Sequence, residues 1–166
     1  SFLISLPGLQ GDFFADTISL IIDHAEEGTF GLVFNQPTDA TLTMLLPDQP
    51  IVPDLPVFSG GPVGPEQLFF LHTTDRSYDN TVTINEQVAL TTDPSILEDL
   101  GGPRNIQALV GYAGWGPGQL EDELTRDAWL IAPFDLEVLF GTRHDRQREL
   151  AAQRMGIDIH LIGDSA

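Results

Sequence analysis

Residues 111–124, Gly-Tyr-Ala-Gly-Trp-Gly-Pro-Gly-Gln-Leu-Glu-Asp-Glu-Leu, constrain this chain more than any other stretch. The apolar run 106–110 reads as a buried strand entering it, and the acidic segment after it reads as a helix start, so the glycines are expected at a strand-to-helix turn. Four glycines permit unusual backbone angles and close approach, while Pro117 fixes one φ and lacks a donor. Such a turn can cradle an anion at the following helix start, yet this one lacks the Lys and Ser/Thr that complete a phosphate loop. Glu121, Asp122 and Glu123 are expected in the first helical turn, where they satisfy its positive end and repel phosphate. A neutral or cationic partner suits the turn better. The competing reading is structural: the glycines let Tyr112 and Trp115 reach the core.

A chain of 166 residues with 42% hydrophobic content fits one globular domain spanning 1–166. The formal net charge is −18, from 25 acids against seven basic residues that are all Arg. That field opposes polyphosphate backbones, so free nucleic acid is not an expected partner. The absence of cysteine excludes disulfides, thiolate zinc sites and thiol nucleophiles. The apolar opening at residues 2–6 has no basic segment before it and meets Pro7-Gly8 at once, unlike a signal peptide. No apolar run reaches membrane-spanning length, and a soluble cytoplasmic protein without membrane association is expected.

Along the chain, 2–6 reads as a strand and 12–16 as a short helical turn. Residues 17–23 and 29–35 read as antiparallel strands joined by a hairpin loop at 24–28, with Gly28 supplying the special angle. Pro37 is expected to end the second strand, and 41–46 is a brief helix. Residues 47–56, with four prolines, read as an extended surface connection. Further strands are expected at 55–59, 66–72, 81–85, 88–91 and 128–132. Helices are expected from Asp93-Pro94 to Gly101, from an Asp135 cap with Phe134 and Leu139 as a staple, and over 146–155. The residues after 156 are expected to fray in part. This mixture without regular β-α-β alternation predicts an α+β fold around a mostly antiparallel, barrel-like sheet. There is no internal repeat.

No catalytic motif is recognisable. His24, His72, His144 and His160 lack zinc-motif spacing, and no Gly-x-Ser-x-Gly elbow exists, so neither a metal nor a cofactor is expected. Glu121 and Glu123, two apart, do not share a helix face. At the exit of the 29–35 strand, Asn35 and Gln36 stand before Pro37 as amides able to read neutral polar groups. The simpler role for Asn35 is a bond to the backbone of its own turn.

Several segments together resemble the AlgH family of bacterial proteins, also called YqgE-like. They are Leu6-Pro7-Gly8, His24 with Glu26-Glu27-Gly28, the run 31–37, Gly60-Gly61-Pro62-Val63, Phe70-Leu71-His72, Leu90-Thr91-Thr92, residues 111–123, and Ala128-Trp129-Leu130. The resemblance implies an α+β fold with a bifurcated sheet, part of it closing into a small barrel, surrounded by helices. It brings no known reaction. The family name implies transcriptional control, but Gln36 stands where the family usually carries Arg, which removes a candidate anion contact. The expected function is therefore a regulator acting through a small molecule or a protein partner. The alternative is a small-ligand binder or enzyme with a pocket at 111–123, lined by His24, Asn35, Gln36, Tyr112, Trp115 and Gln119. Direct DNA binding is disfavoured by the charge. His24, Asn35 and the 114–119 turn are expected to converge on one face.

Overall fold

The computed structural model describes residues 1–7, 13–48, 54–99 and 101–161. Ten strands pair into one sheet: β1 (Phe2–Ser5), β2 (Ile18–Ala25), β3 (Gly28–Val33), β4 (Pro37–Thr41), β5 (Pro56–Ser59), β6 (Val63–Thr73), β7 (Thr81–Thr83), β8 (Val88–Thr91), β9 (Ile106–Trp115) and β10 (Trp129–Ala132). The main path runs β10-β1-β2-β3-β9-β6-β8-β7, with β4 and β5 off it. All pairings are antiparallel except that of β5 with β9. Four short helices, α1 (Leu42–Leu45), α2 (Gln119–Thr125), α3 (Leu136–Phe140) and α4 (Gln147–Gln153), lie between or after the strands. The α+β expectation therefore stands in its broad form, as a sheet-dominated fold. Among the described residues the main path stays open between β10 and β7, so no pairing closes it into a barrel.

The long strand β9 is what divides the sheet. Along one edge its residues 108–110 pair with β5, and its residues 113–115 pair with β3. Its other edge carries β6. The change of partner falls at Gly111, where φ is +77° and the main chain crosses Gly60-Gly61 at close range. A Cβ on Gly111 would sit 2.4 Å from the Gly61 carbonyl oxygen, and one on Gly61 would sit 2.1 Å from the Tyr112 carbonyl. Only residues without side chains fit this crossing.

Alternation along the strands sorts the core into three groups. Phe2 and Ile4 of β1 face a large cluster with Leu20, Leu32, Phe34, Phe69 and Leu71, closed by Val138 and Leu139 of α3 and by Ala151 and Ala152 of α4. Leu3, between them, faces the opposite side with Ala113, Trp115, Leu120 and Trp129. Both faces of β1 are thus covered, which explains its unbroken apolar run. Phe70 of β6, flanked by Phe69 and Leu71, joins a third cluster with Leu42, Val57, Ile96 and Ala108.

Several local expectations are corrected. The glycines at 111 and 114 lie inside β9, not in a turn, and the turn proper is residues 116–118. Gly118, at φ +71°, precedes α2, whose first turn holds Glu121 and Asp122 while Glu123 falls in the second. His24 belongs to β2, and the hairpin loop shrinks to Glu26-Glu27. Pro37 begins β4 rather than merely ending β3; β4 pairs only with β5, an edge position that tolerates a missing N–H. Asp93 caps as expected, but the element it starts is a short 3-10 helix, Pro94–Glu98. Asp135 caps α3 by accepting from the Glu137 and Val138 amides. The last helix begins as a 3-10 turn, His144–Arg146, and continues as α4. Residues 49–53 of the proline-rich connection, and 162–166 of the expected frayed end, lie outside the described residues.

Candidate functional site

The residues singled out from the sequence separate into groups. His24 and Thr29 are register partners across β2 and β3, and Thr29 is in turn opposite Trp115 on β9. His24 Nδ1 lies 2.5 Å from Thr29 Oγ1, and its Nε2 lies 3.7 Å from Glu121. Trp115 is buried, and its indole N–H donates to Glu123 Oε1 at 3.1 Å. The same oxygen accepts from Trp129 at 2.9 Å, while Glu123 Oε2 accepts from Gln119 Nε2. Gln119 Oε1 also accepts the Gly116 amide and so closes the turn. Tyr112 is half-buried on the other side of the strand, its ring tilted against Phe30 at 4.9 Å and edge-on to Phe69. The aromatic residues of the conspicuous stretch thus serve the core.

Asn35 and Gln36 stand at the opposite end of β3. Six residues of extended chain separate Asn35 from Thr29, about 20 Å at the usual strand rise. The expected single face holding His24, Asn35 and Trp115 is therefore not formed. Asn35 is buried and ties down a neighbouring segment instead of its own turn: Oδ1 accepts the Ile18 amide and Nδ2 donates to the Asp16 carbonyl. Gln36 Nε2 reaches the same carbonyl at 3.5 Å.

These two amides form one wall of a cleft of about 320 Å³, whose opposite wall is α4 and the segments on either side of it, with His144, Asp145, Arg148, Glu149 and His160. Arg148 is the central cation. Its Nη2 donates to the Ser5 carbonyl at 2.7 Å and its Nη1 lies 3.6 Å from the exposed carboxylate of Asp16. Burial pushes its pKa down against the pull of Asp16, yet a guanidinium keeps its charge near neutral pH. Its Nε is buried and has no partner. A second hollow of about 170 Å³ adjoins at His144, lined by Phe34, Phe58, Ile106, Gln107, Leu139, Phe140, Thr142 and Gln147. Gln147 Nε2 donates to the Val138 and Leu139 carbonyls, and its buried Oε1 is unpartnered. Among the described residues only three buried side-chain polar atoms lack a partner, and two of them belong to these consecutive residues.

Sequence reasoning missed Arg148 and Gln147, although a signal existed. With Ala151, Ala152 and Met155 they form an i, i+3, i+4 stripe, so two polar residues sit on the core-facing side of a helix. The other arginines of this segment are paired: Arg143 with Asp145, Arg146 with Glu149, and Arg154 with Asp135 and Glu137. No group of three metal-ligating side chains gathers among the described residues. No described helix is long and apolar enough to cross a membrane.

The divided, largely antiparallel sheet defines a class of sheet-dominated α+β proteins that solved structures already represent. The solution structure of the AlgH protein from Pseudomonas aeruginosa is similar with a TM-score of 0.81 and 35% identity, over 99% of this chain and 92% of that one. A crystal structure of a Corynebacterium diphtheriae protein shares the fold at TM-score 0.77 and 22% identity, over 92% and 84% of the two chains. The AlgH-like family model matches residues 2–160, and the chain belongs to that family. UPF0301 proteins of Thioalkalivibrio sulfidiphilus and Methylococcus capsulatus are each 40% identical to it, over 99% of this chain and 93% of the relative.

Proposed function

We propose that this chain binds a small polar molecule in the cleft between Asn35-Gln36 and α4, and acts through that ligand. One observation carries the reading: the buried Arg148 Nε–H, in a wall of the cleft, has no acceptor among the described residues. Buried N–H groups are nearly always paired, so an acceptor from outside the chain is the natural complement. The cleft also contains Asp16, Asp145 and Glu149, against Arg148 as its one permanent cation. A free anion is therefore disfavoured, and the ligand is neutral or zwitterionic, offering an acceptor to Arg148 without adding net negative charge. The pairing of the other three arginines of this segment speaks equally against a phosphate-binding surface for DNA. Exposed large apolar residues are spread over α1, β6, β7 and β10, among other places, which favours a small molecule over a protein partner.

Thermal unfolding in the presence of acetamide, glycine and acetate tests the proposal. Acetamide or glycine is expected to raise Tm, on the order of 5 °C at a hundredfold excess over Kd, with acetate weaker. The response should shrink in Gln36→Ala, which alters the cleft wall without touching the core. A flat response to all three probes, or acetate as the strongest, discards the reading.

A further inference from the structure

Resting on the ligand-binding reading of the cleft, the adjoining aromatic hollow defines what kind of group it admits. Three rings, Phe34, Phe58 and Phe140, line it together with Leu139 and Ile106, and the exposed His144 stands where it meets the polar cleft. Phe58 and His144 pack edge to face at 6.1 Å. Its volume, about 170 Å³, is close to that of an engineered apolar cavity of about 150 Å³ that takes up benzene. A single six-membered ring fits.

Polarity then selects among rings. A backbone carbonyl can only accept, so the contacts of Gln147 Nε2 with the Val138 and Leu139 oxygens fix which way this amide points. Gln107 is fixed in the same manner by its 2.9 Å bond to the Phe34 carbonyl. Gln147 spends both N–H groups on main chain and Gln107 one of its two, so in each the amide oxygen points the other way. Gln147 is only 3% exposed, and its Oε1 has no partner among the described residues. The hollow thus combines three aromatic rings, the polar groups of Gln107, Thr142 and His144, and a buried Gln147 acceptor that no described residue meets.

We propose that this hollow binds one planar ring carrying an N–H or O–H group, phenol-like or an N–H heteroaromatic, with the ring between the phenylalanines and its donor on Gln147 Oε1. The rest of such a ligand passes His144 toward Arg148.

Phenol and toluene, nearly equal in size and differing in the donor, make the test, read by NMR on the isotope-labelled protein through the side-chain amide resonances of Gln107 and Gln147. Phenol is expected to shift the Gln147 amide signals saturably and to bind about tenfold tighter than toluene, the usual worth of one satisfied buried hydrogen bond. Toluene binding as tightly as phenol would reduce the hollow to an apolar cavity and overturn the proposal. So would phenol leaving the Gln147 signals unmoved, which would mean that a buried water meets the acceptor. Gln147→Met is expected to abolish the preference for phenol while retaining toluene, and a preference that survives it also overturns the proposal. If that variant does not fold, the wild-type comparison decides alone. Glycine added to the same sample reads the polar cleft through Gln36 and Arg148. A glycine response without a phenol response discards the ring and keeps the cleft, and the reverse keeps the hollow and discards the cleft.

Discussion

The two ends of β3 solve the same problem differently. At the hairpin end two buried indoles meet a half-buried carboxylate and an exposed amide and imidazole, and each has a partner: one Glu123 carboxylate serves Trp115, Trp129 and Gln119 together. At the other end Gln147 is buried and Arg148 half-buried, yet one buried atom of each is without a partner among the described residues. Polar density alone does not mark a site; incomplete satisfaction does. The hairpin end is completed by the chain itself, whereas the α4 end keeps two buried polar atoms that the described residues do not meet.

The sharpest way to break the comparison is at the crossing that anchors the glycine-rich arm. Gly61→Ala drives a Cβ into the Tyr112 backbone, and we expect a loss of about 4 kcal/mol or more, seen as a chain that fails to give a cooperative unfolding transition. A normal transition would show that the two backbones can separate cheaply. Glu123→Ala comes next, because it strands two buried indole N–H groups: about 2–4 kcal/mol by denaturant midpoint, and distinctly less for Glu123→Gln, which keeps an acceptor. If alanine there costs under about 1 kcal/mol, the hairpin end is not held by this carboxylate. Gly118→Ala is expected to cost about 1–2 kcal/mol through its positive φ. Gly116→Ala should stay within about 0.5 kcal/mol, since the nearest atom to a Cβ there is 3.8 Å away. A small net effect is also expected at the α4 end, where Gln147→Leu loses two bonds to α3 but also removes an unmet acceptor, leaving stability within about 1 kcal/mol. A loss well beyond that would mean that the acceptor is already satisfied.

What local chemistry dictates was legible in the chain. The Asp93 and Asp135 caps, the β2-β3 hairpin and the strands at β1, β5, β8 and β10 rest on short-range patterns, and the structure has them. Residues 111–115 read as a turn because glycine there suppresses any strand signal. They are extended because β3 and β6 pair with them, which no local window contains. Asn35 and Gln36 stood out as paired amides at a strand exit, but they line a cleft with α4 rather than the expected pocket at 111–123, and their companions there were not legible. The carbonyl that holds Arg148 belongs to Ser5, at the other end of the chain, and the acid beside it is Asp16. A sequence records the charge of Arg143, Arg146 and Arg154 but not the carboxylates that pair with them.

The shared strand β9 also sets the order in which this molecule can be made. Strands β3, β5 and β6 all hydrogen-bond to it, yet it follows all three in the chain, and β1 must wait longer still for β10. A nascent chain that has emerged only as far as β8 can close hairpins such as β2-β3, but it presents the unpaired edges of three strands to its surroundings. Pairings this distant in sequence form slowly. Synthesis of the segment from Ile106 onward is therefore the step that hides those edges, and a ribosome stalled before it would hold a chain prone to pair with its neighbours.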